Sequence, residues 1–278
     1  LYMSNKCLLI ADHKSVDKQI HIFNKNDFSY LTSIGNFGEG PEEITVMGCL
    51  AIDEAHHQLY VSDHAKQKIF SYDMDSVMVD SLYKPQVKTA MNETLFPSEY
   101  QYINDTLSIA VLIKPTSTST FNQFLGRWNM NTGEMIPMKY THPDIQKKRI
   151  TFAASEKAGI YVECYTRHDL MTICSLDGEL LYNIYGPDWD GGNGNKLQSF
   201  GTVMIGNDKI FVSYCGEDYA RDSFPTKILV FDLEGNYLKT LETGYKISDC
   251  CYDSFNNRII LSLNDVVQFA YLDIDGII

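Results

Sequence analysis

The chain has 278 residues, with 36 acidic against 23 basic side chains and a formal net charge of −13. No Lys/Arg run offsets that balance locally, so it repels a phosphate backbone and argues against nucleic acid as a partner. Apolar residues make up 44 %, with 18 Tyr and 14 Phe, which excludes a disordered chain; no apolar run approaches the roughly eighteen residues of a membrane-spanning helix.

Six hydrophobic runs each end in an aromatic or apolar residue and a short polar turn. In chain order the turns are Phe23-Asn24-Lys25-Asn26, Tyr72-Asp73-Met74-Asp75, Trp128-Asn129-Met130-Asn131-Thr132-Gly133, Cys174-Ser175-Leu176-Asp177-Gly178, Phe231-Asp232-Leu233-Glu234-Gly235 and Leu272-Asp273-Ile274-Asp275-Gly276. Five steps separate residues 24 and 273, about 50 residues each, which is the length of a propeller blade built from several short strands. The pattern predicts an all-β fold: a six-bladed β-propeller of four-stranded antiparallel blades around a central channel. It forms a single domain over 1–278, with blades at approximately 1–40, 41–90, 91–145, 146–195, 196–244 and 245–278.

Blade one begins at Leu1-Tyr2-Met3. Blade two predicts strands at Gly48–Asp53, Leu59–Ser62, Lys68–Tyr72 and Val77–Leu82. Blade three has Gln101–Ile103, Leu107–Leu112 and Phe124–Trp128; blade four has Ile160–Val162, Met171–Ile173 and Leu180–Ile184. Blade five has Gly201–Ile205, Ile210–Tyr214, Ile228–Phe231 and Tyr237–Leu241, and blade six has Cys250–Tyr252, Ile259–Leu261 and Phe269–Tyr271. A 3.6-residue period is absent, so almost no helix is expected. After Gly276 only two residues remain, so blade six either has a vestigial outer strand or takes it from chain beyond this sequence. The seven cysteines show no C-x-x-C pair and no zinc spacing. Most sit at strand positions, where a free thiol acts as a small core hydrophobe.

The segment Gly35-Asn36-Phe37-Gly38-Glu39-Gly40-Pro41-Glu42-Glu43-Ile44 resembles the inter-blade linker of NHL-repeat propellers, roughly G-x-x-G-x-G-P-G-E-F, with Glu42 in place of a family glycine. Leu59-Tyr60-Val61-Ser62-Asp63 and Ile69-Phe70-Ser71-Tyr72-Asp73 resemble the L-Y-V-A-D and I-x-x-F-D parts of the same repeat. Glycines in such a linker permit positive φ, and Pro41 stiffens the entry to the next strand. The chain looks like a divergent NHL/TolB-like propeller of the kind found among bacterial envelope lipoproteins of unknown activity. The resemblance covers the whole chain in architecture and blades one and two in motif. It implies export and a periplasmic or outer-membrane-associated location, with a lipid anchor in the precursor. The wider superfamily includes calcium-dependent lactonases, phosphotriesterase-like hydrolases and zinc-using lyases, whose metal ligands find no residue-by-residue match here.

In a propeller the linkers and the second-to-third-strand loops share the face on which ligands bind, and that topology selects the candidates. They are Asp12, His13, Glu43, Asp63, His64, Glu99, Arg149, Arg167, His168, Glu217, Asp218 and Asp249, with Tyr219, Arg221 and Asp222 in the same loops. The Asp-His pairs Asp12-His13 and Asp63-His64 offer two carboxylates and two imidazoles, enough for a zinc-type site or a base with its orienting acid. The bland alternative is that each aspartate caps its own loop through backbone amides. Glu43, Glu99 and Asp249 enter three different blades and are the candidates for a calcium site. Asp188–Asn195 resembles a calcium loop but has Ser199 where an EF-hand needs glutamate. His56-His57 falls in a hairpin turn on the opposite face. No G-x-S-x-G, H-E-x-x-H or phosphate loop occurs.

These readings favour a non-catalytic module that binds a protein, peptide or glycan on its loop face and needs no cofactor. The alternative is a calcium- or zinc-dependent hydrolase or lyase of the lactonase-like type.

Overall fold

The computed structural model describes residues 1–92, 94–117, 120–193, 197–218 and 223–278. The chain divides into two compact units, Leu1–Pro137 and Met138–Ile278. Short apolar runs between glycine- and aspartate-rich turns make strands, and the central strands of the blades, such as Gln58–Asp63 and Ile160–Tyr165, are buried on both faces. The strands pair into six antiparallel sheets, three in each unit.

In the first unit, blade 1 comprises β1 (Tyr2–Met3), β2 (Cys7–Ala11), β3 (Lys18–Asn24) and β4 (Tyr30–Asn36). Blade 2 comprises β5 (Met47–Asp53), β6 (Gln58–Asp63), β7 (Lys68–Asp73) and β8 (Gln86–Ala90), with a helix α1 (Met74–Val79) between β7 and β8. Blade 3 comprises β9 (Phe96–Asn104), β10 (Leu107–Pro115), β11 (Phe121–Trp128) and β12 (Met135–Pro137). In the second unit, blade 4 holds β13 (Ile150–Ser155), β14 (Ile160–Tyr165), β15 (Leu170–Ser175) and β16 (Leu180–Tyr185). Blade 5 holds β17 (Leu197–Gly206), β18 (Lys209–Asp218), β19 (Lys227–Asp232) and β20 (Tyr237–Glu242). Blade 6 has three strands among the described residues, β21 (Ile247–Asp253), β22 (Arg258–Leu263) and β23 (Phe269–Asp273).

Neighbouring blades pack face to face within each unit. Ile20, Ile22, Leu50, Val61 and Phe70 fill the layer between blades 1 and 2, and Tyr60, Tyr100, Leu112 and Trp128 that between blades 2 and 3. Val162, Ile173, Val203 and Val212 join blades 4 and 5, and Phe211, Val230, Ile259 and Leu261 join blades 5 and 6. Each such aliphatic or aromatic side chain contributes about 1.5–3 kcal/mol by leaving water. All seven cysteines are free and buried, as expected of core hydrophobes.

The predicted outer strand of blade 2 at Val77–Leu82 is corrected. Asp73 caps α1 by accepting from the Ser76 amide, Val77 turns into the core, and Pro85 delays the strand until Gln86. The placing of Glu217 and Asp218 in the second-to-third-strand loop of blade 5 is corrected as well. β18 continues through Asp218 because β17 starts early enough to pair Leu197 with Asp218 and Gln198 with Glu217. Glu217 and Asp218 therefore stand on a strand end, while Tyr219, Arg221 and Asp222 lie outside the described residues.

One turn device recurs on the side of the first-to-second-strand hairpins. Asp53, 1 % exposed, accepts from the His56 amide at 3.1 Å and sits 2.9 Å from His56 Nδ1; in blade 6, Asp253 accepts from the Asn256 amide at 3.3 Å and its side-chain amide at 2.7 Å. The next residue in each turn, His57 or Asn257, is left-handed, with φ of 53° and 46°. Its carbonyl then receives an amide from the far hairpin, Met74 or Ile274, as the Gly159 carbonyl receives Leu176 in blade 4. Hydrogen bonds thus lock the two turns of a blade together.

The Asp53 contact raises the His56 imidazole above its ordinary value, through the side-chain hydrogen bond first and the carboxylate charge second. A raised folded value means the stabilising contribution is complete below the unfolded pKa of about 6.5 and fades as pH rises through the folded value. Urea midpoints of wild type and His56→Asn measured from about pH 5 to about pH 9 should therefore differ in their pH dependence, wild type losing the His56 contribution as pH rises and the variant lacking that component. His56→Asn should stay folded, since Asn256 fills the same role in blade 6; a variant that unfolds or keeps the wild-type pH dependence would contradict the turn assignment.

Candidate functional site

The loop face of the first unit is organised by Asp63, which is fully buried at the end of β6. One carboxylate oxygen accepts from the amide of Thr45 at 2.8 Å; the other accepts from Val46, Ala65 and Lys66 at 3.0–3.2 Å. This set ties the linker entering blade 2 to the loop leaving it. Lys66 completes the clamp, its ammonium donating to the Gly38, Gly40 and Glu43 carbonyls at 3.4, 2.7 and 2.6 Å. Glu43 folds back so that its carboxylate accepts from the Gly40 amide at 2.7 Å, and a Cβ on Gly38 or Gly40 would overlap that carboxylate. Gly35, at φ 75° near the end of β4, needs the left-handed region; Gly40 is required for space instead.

His64 follows Asp63 and packs edge-on against Phe96 with centroids 4.9 Å apart. Its Nε2 is buried without a hydrogen-bond partner, over Gly48, where no Cβ fits. Burial pushes this imidazole below its ordinary value, opposed by the Ser98 backbone and Asp63 and reinforced by the charge of His13. Asp12 accepts from the Lys14 amide at 3.0 Å, and His13 is exposed. Glu99 is exposed on β9 opposite Val111.

In the second unit, Asp249 accepts from the Thr202 hydroxyl at 3.1 Å and the Cys250 amide at 2.8 Å. Arg149 donates to the Lys148 carbonyl, and its own carbonyl takes the Thr166 amide and hydroxyl. Behind it Lys148 and Glu163 form a buried ion pair at 2.9 Å, joined by the Tyr165 hydroxyl at 2.9 Å. Such a pair is kept only where every remaining donor and acceptor is satisfied.

In blade 4, histidines and aromatic rings of a loop and its flanking linkers come together. His168, 6 % exposed, lies between Tyr165 and Trp189 at 6.1 Å from each ring, with Nδ1 3.8 Å from Asp190, too long for a hydrogen bond. His142 shares a 3.0 Å hydrogen bond with the Tyr185 hydroxyl and packs at 5.3 Å on Trp189, which meets Tyr185 at 5.0 Å. Burial holds both imidazoles below their ordinary values. Buried Asp169 accepts from the Asp188 amide at 3.0 Å and fills the space above Gly186, with burial raising its carboxyl. These contacts set the linker that carries Trp189 over half-exposed Tyr185, with Arg167 exposed at the loop tip. Sequence reasoning selected Arg167 and His168 but missed Tyr185, His142 and Trp189. The available signal was Trp189 inside the segment read as a calcium-like loop, four residues after Tyr185 at the end of β16; Gly194 and Asn195 of that loop lie outside the described residues.

Among the described residues one group brings three metal-type donors within 4.8 Å of one another: Asp53, His56 and Asp105. Asp53 holds the His56 turn and also accepts from the Tyr60 hydroxyl at 3.0 Å, and Asp105 accepts from the Tyr102 hydroxyl at 2.8 Å, so these oxygens already have structural partners.

Asp63→Asn places an amide nitrogen against backbone N–H donors that need an acceptor. Chemical unfolding should show a loss of about 2–3 kcal/mol. A variant within about 0.5 kcal/mol of wild type would show that the carboxylate does not hold the linker.

Residues 1–125 match the family model described as "DUF5128: 6-bladed beta-propeller". No curated protein matches the chain. Similar solved structures include a member of the duf4221 family from Bacteroides vulgatus, with 10 % identity, TM-score 0.68 and coverage of 98 % of this chain and 91 % of that one. Another is a protein of unknown function from Bacteroides caccae, with 13 % identity, TM-score 0.57 and coverage of 98 % and 92 %. A third is U3-55K, with 11 % identity, TM-score 0.57 and coverage of 93 % and 70 %. At these identities the likeness is one of fold, and it agrees with the six sheets: the chain has the fold of a six-bladed β-propeller.

Proposed function

We propose that this chain is a non-catalytic recognition propeller that takes a protein, peptide or glycan ligand on its loop face, with blade 4 supplying the contact surface. The observation that carries the reading is the Trp189–Tyr185 pair, braced from behind by buried His142 and His168 and flanked by exposed Arg167. Rigid aromatics and arginine are the side chains that dominate binding energy at interfaces, because they bury much area for little lost entropy. A fixed scaffold displaying them needs no ordering step on binding.

The carboxylates of the loops and linkers in each unit support the same reading. Asp63, Glu43 and Asp169 direct oxygens at backbone amides of the loops, a structural use that competes with holding a cation. Export with a lipid anchor is proposed alongside, from the NHL/TolB-like resemblance, and is tested by fractionating cells that make the full-length protein. Recovery in the cytoplasmic fraction would contradict it.

Peptide and oligosaccharide arrays probed with the wild-type chain supply the binding test. A ligand they return should lose at least about tenfold in affinity in Trp189→Ala and in Arg167→Ala. It should be unaffected by Tyr237→Ala, an exposed aromatic on the outer strand of blade 5. Ligands indifferent to both loop-face changes, or turnover of lactone or phosphoester substrates by metal-loaded protein, would overturn the reading.

A further inference from the structure

Blade 2 differs from its neighbours in one connection. Third and fourth strands are joined by residues 25–29 in blade 1, 129–134 in blade 3, 176–179 in blade 4 and 233–236 in blade 5, but by residues 74–85 in blade 2. An insertion that long at a hairpin otherwise closed by a few residues is where a scaffold acquires a new surface. Val77 anchors it in the core between blades 1 and 2, and the Tyr83 hydroxyl accepts from the Asp73 amide at 3.1 Å. α1 packs on β4 and β7 and so stands as a wall beside the gap between the two blades.

Beneath that wall lies a cavity of about 480 Å³, within the size range of small-molecule sites. Leu9, Ile52, Leu59, Met74 and Met78 contribute apolar lining. Charged groups are unbalanced: three carboxylates, Asp53, Glu54 and Asp75, against Lys6 and the His57 imidazole. Asp53 is buried in its turn, whereas Glu54 and Asp75 are exposed. Each of these two is held in place by one contact, Glu54 accepting from the Asn5 amide at 2.7 Å and Asp75 lying 2.8 Å from His57 Nδ1. A carboxylate has about four lone-pair sites, so acceptor capacity remains on both.

We propose that this cavity, on the side of the blades opposite the loop face, is a second binding site for an amphipathic cation: a ligand with a short apolar chain and a primary ammonium group. The chain packs against Leu9, Leu59 and Met74, and the ammonium sits between Glu54 and Asp75. A carboxylate-bearing ligand of the same shape meets like charge at both. The site is independent of blade 4.

The probe is hexylammonium, followed by saturation-transfer NMR on its methylene protons and by calorimetry, with hexanol and hexanoate as isosteres. Hexylammonium should bind at least about tenfold more tightly than hexanol, and hexanoate should not bind. Glu54→Gln combined with Asp75→Asn keeps the acceptors for Asn5 and His57 and should bring hexylammonium down to the level of hexanol. Met78→Trp, at a partly exposed position on the wall, should block both hexylammonium and hexanol by filling the cavity. Equal binding of hexylammonium and hexanoate, or binding unchanged in both variants, would overturn the proposal, as would no detectable hexylammonium binding at about 10 mM.

Discussion

A single carboxylate sets the form of the loop face in the first unit. Asp63 is buried completely, which is tolerable only because backbone amides from two separate segments surround it. The linker before blade 2 and the loop within it are thereby one rigid body, and Lys66 extends the clamp to the carbonyls of residues 38, 40 and 43. The glycine-rich composition of the linker follows from this arrangement, since the Glu43 carboxylate occupies the space that side chains at 38 and 40 would need. On the other side of the blades, Asp53 and Asp253 play the corresponding role for hairpins. Polar groups that look like chemistry in the sequence are largely the fasteners of a sheet array whose apolar layers supply the bulk of its stability.

Much of this was legible in the residues. The six polar turns sit where the third strands end, the 50-residue spacing counts the blades, and alternating Val, Ile and aromatic residues place the strands within a few positions. The expectation that Asp63 caps its loop through backbone amides also follows from the L-Y-V-S-D pattern, because an acceptor at a strand end has few other uses. Legibility failed where tertiary context decided the local structure. Met74–Val79 carries the β-branched and apolar residues of a strand, yet the Asp73 cap and the burial of Val77 alone among its neighbours make it a helical turn. Glu217 and Asp218 read as loop because they are acidic, and become strand because β17 offers partners that no local pattern reveals. The Trp189 cluster assembles from the linker before blade 4, a loop within it and the linker after it, segments more than 40 residues apart in part, so no short motif encodes it.

The two candidate surfaces are built by different means. On blade 4, buried histidines and the Asp169 carboxylate fix a linker from below, and the exposed faces of Tyr185 and Trp189 are what remains for a partner. Beside blade 2, an insertion raises a wall and leaves a lined space behind it. Both follow the general logic of propellers, in which invariant sheets carry variable connections and recognition is a property of the connections. The fold itself is compatible with many activities; the use of its acidic side chains as backbone anchors is what favours recognition over metal-assisted chemistry.

The most direct measurement of that central point is the melting temperature of protein purified without chelator, compared in EDTA, in added calcium and in added zinc, with elemental analysis of the same sample. If the loop carboxylates are committed to backbone amides, the melts coincide and no stoichiometric metal is found. A stoichiometric metal whose removal lowers the melting temperature would contradict this, because only selective binding to the folded state produces such a shift.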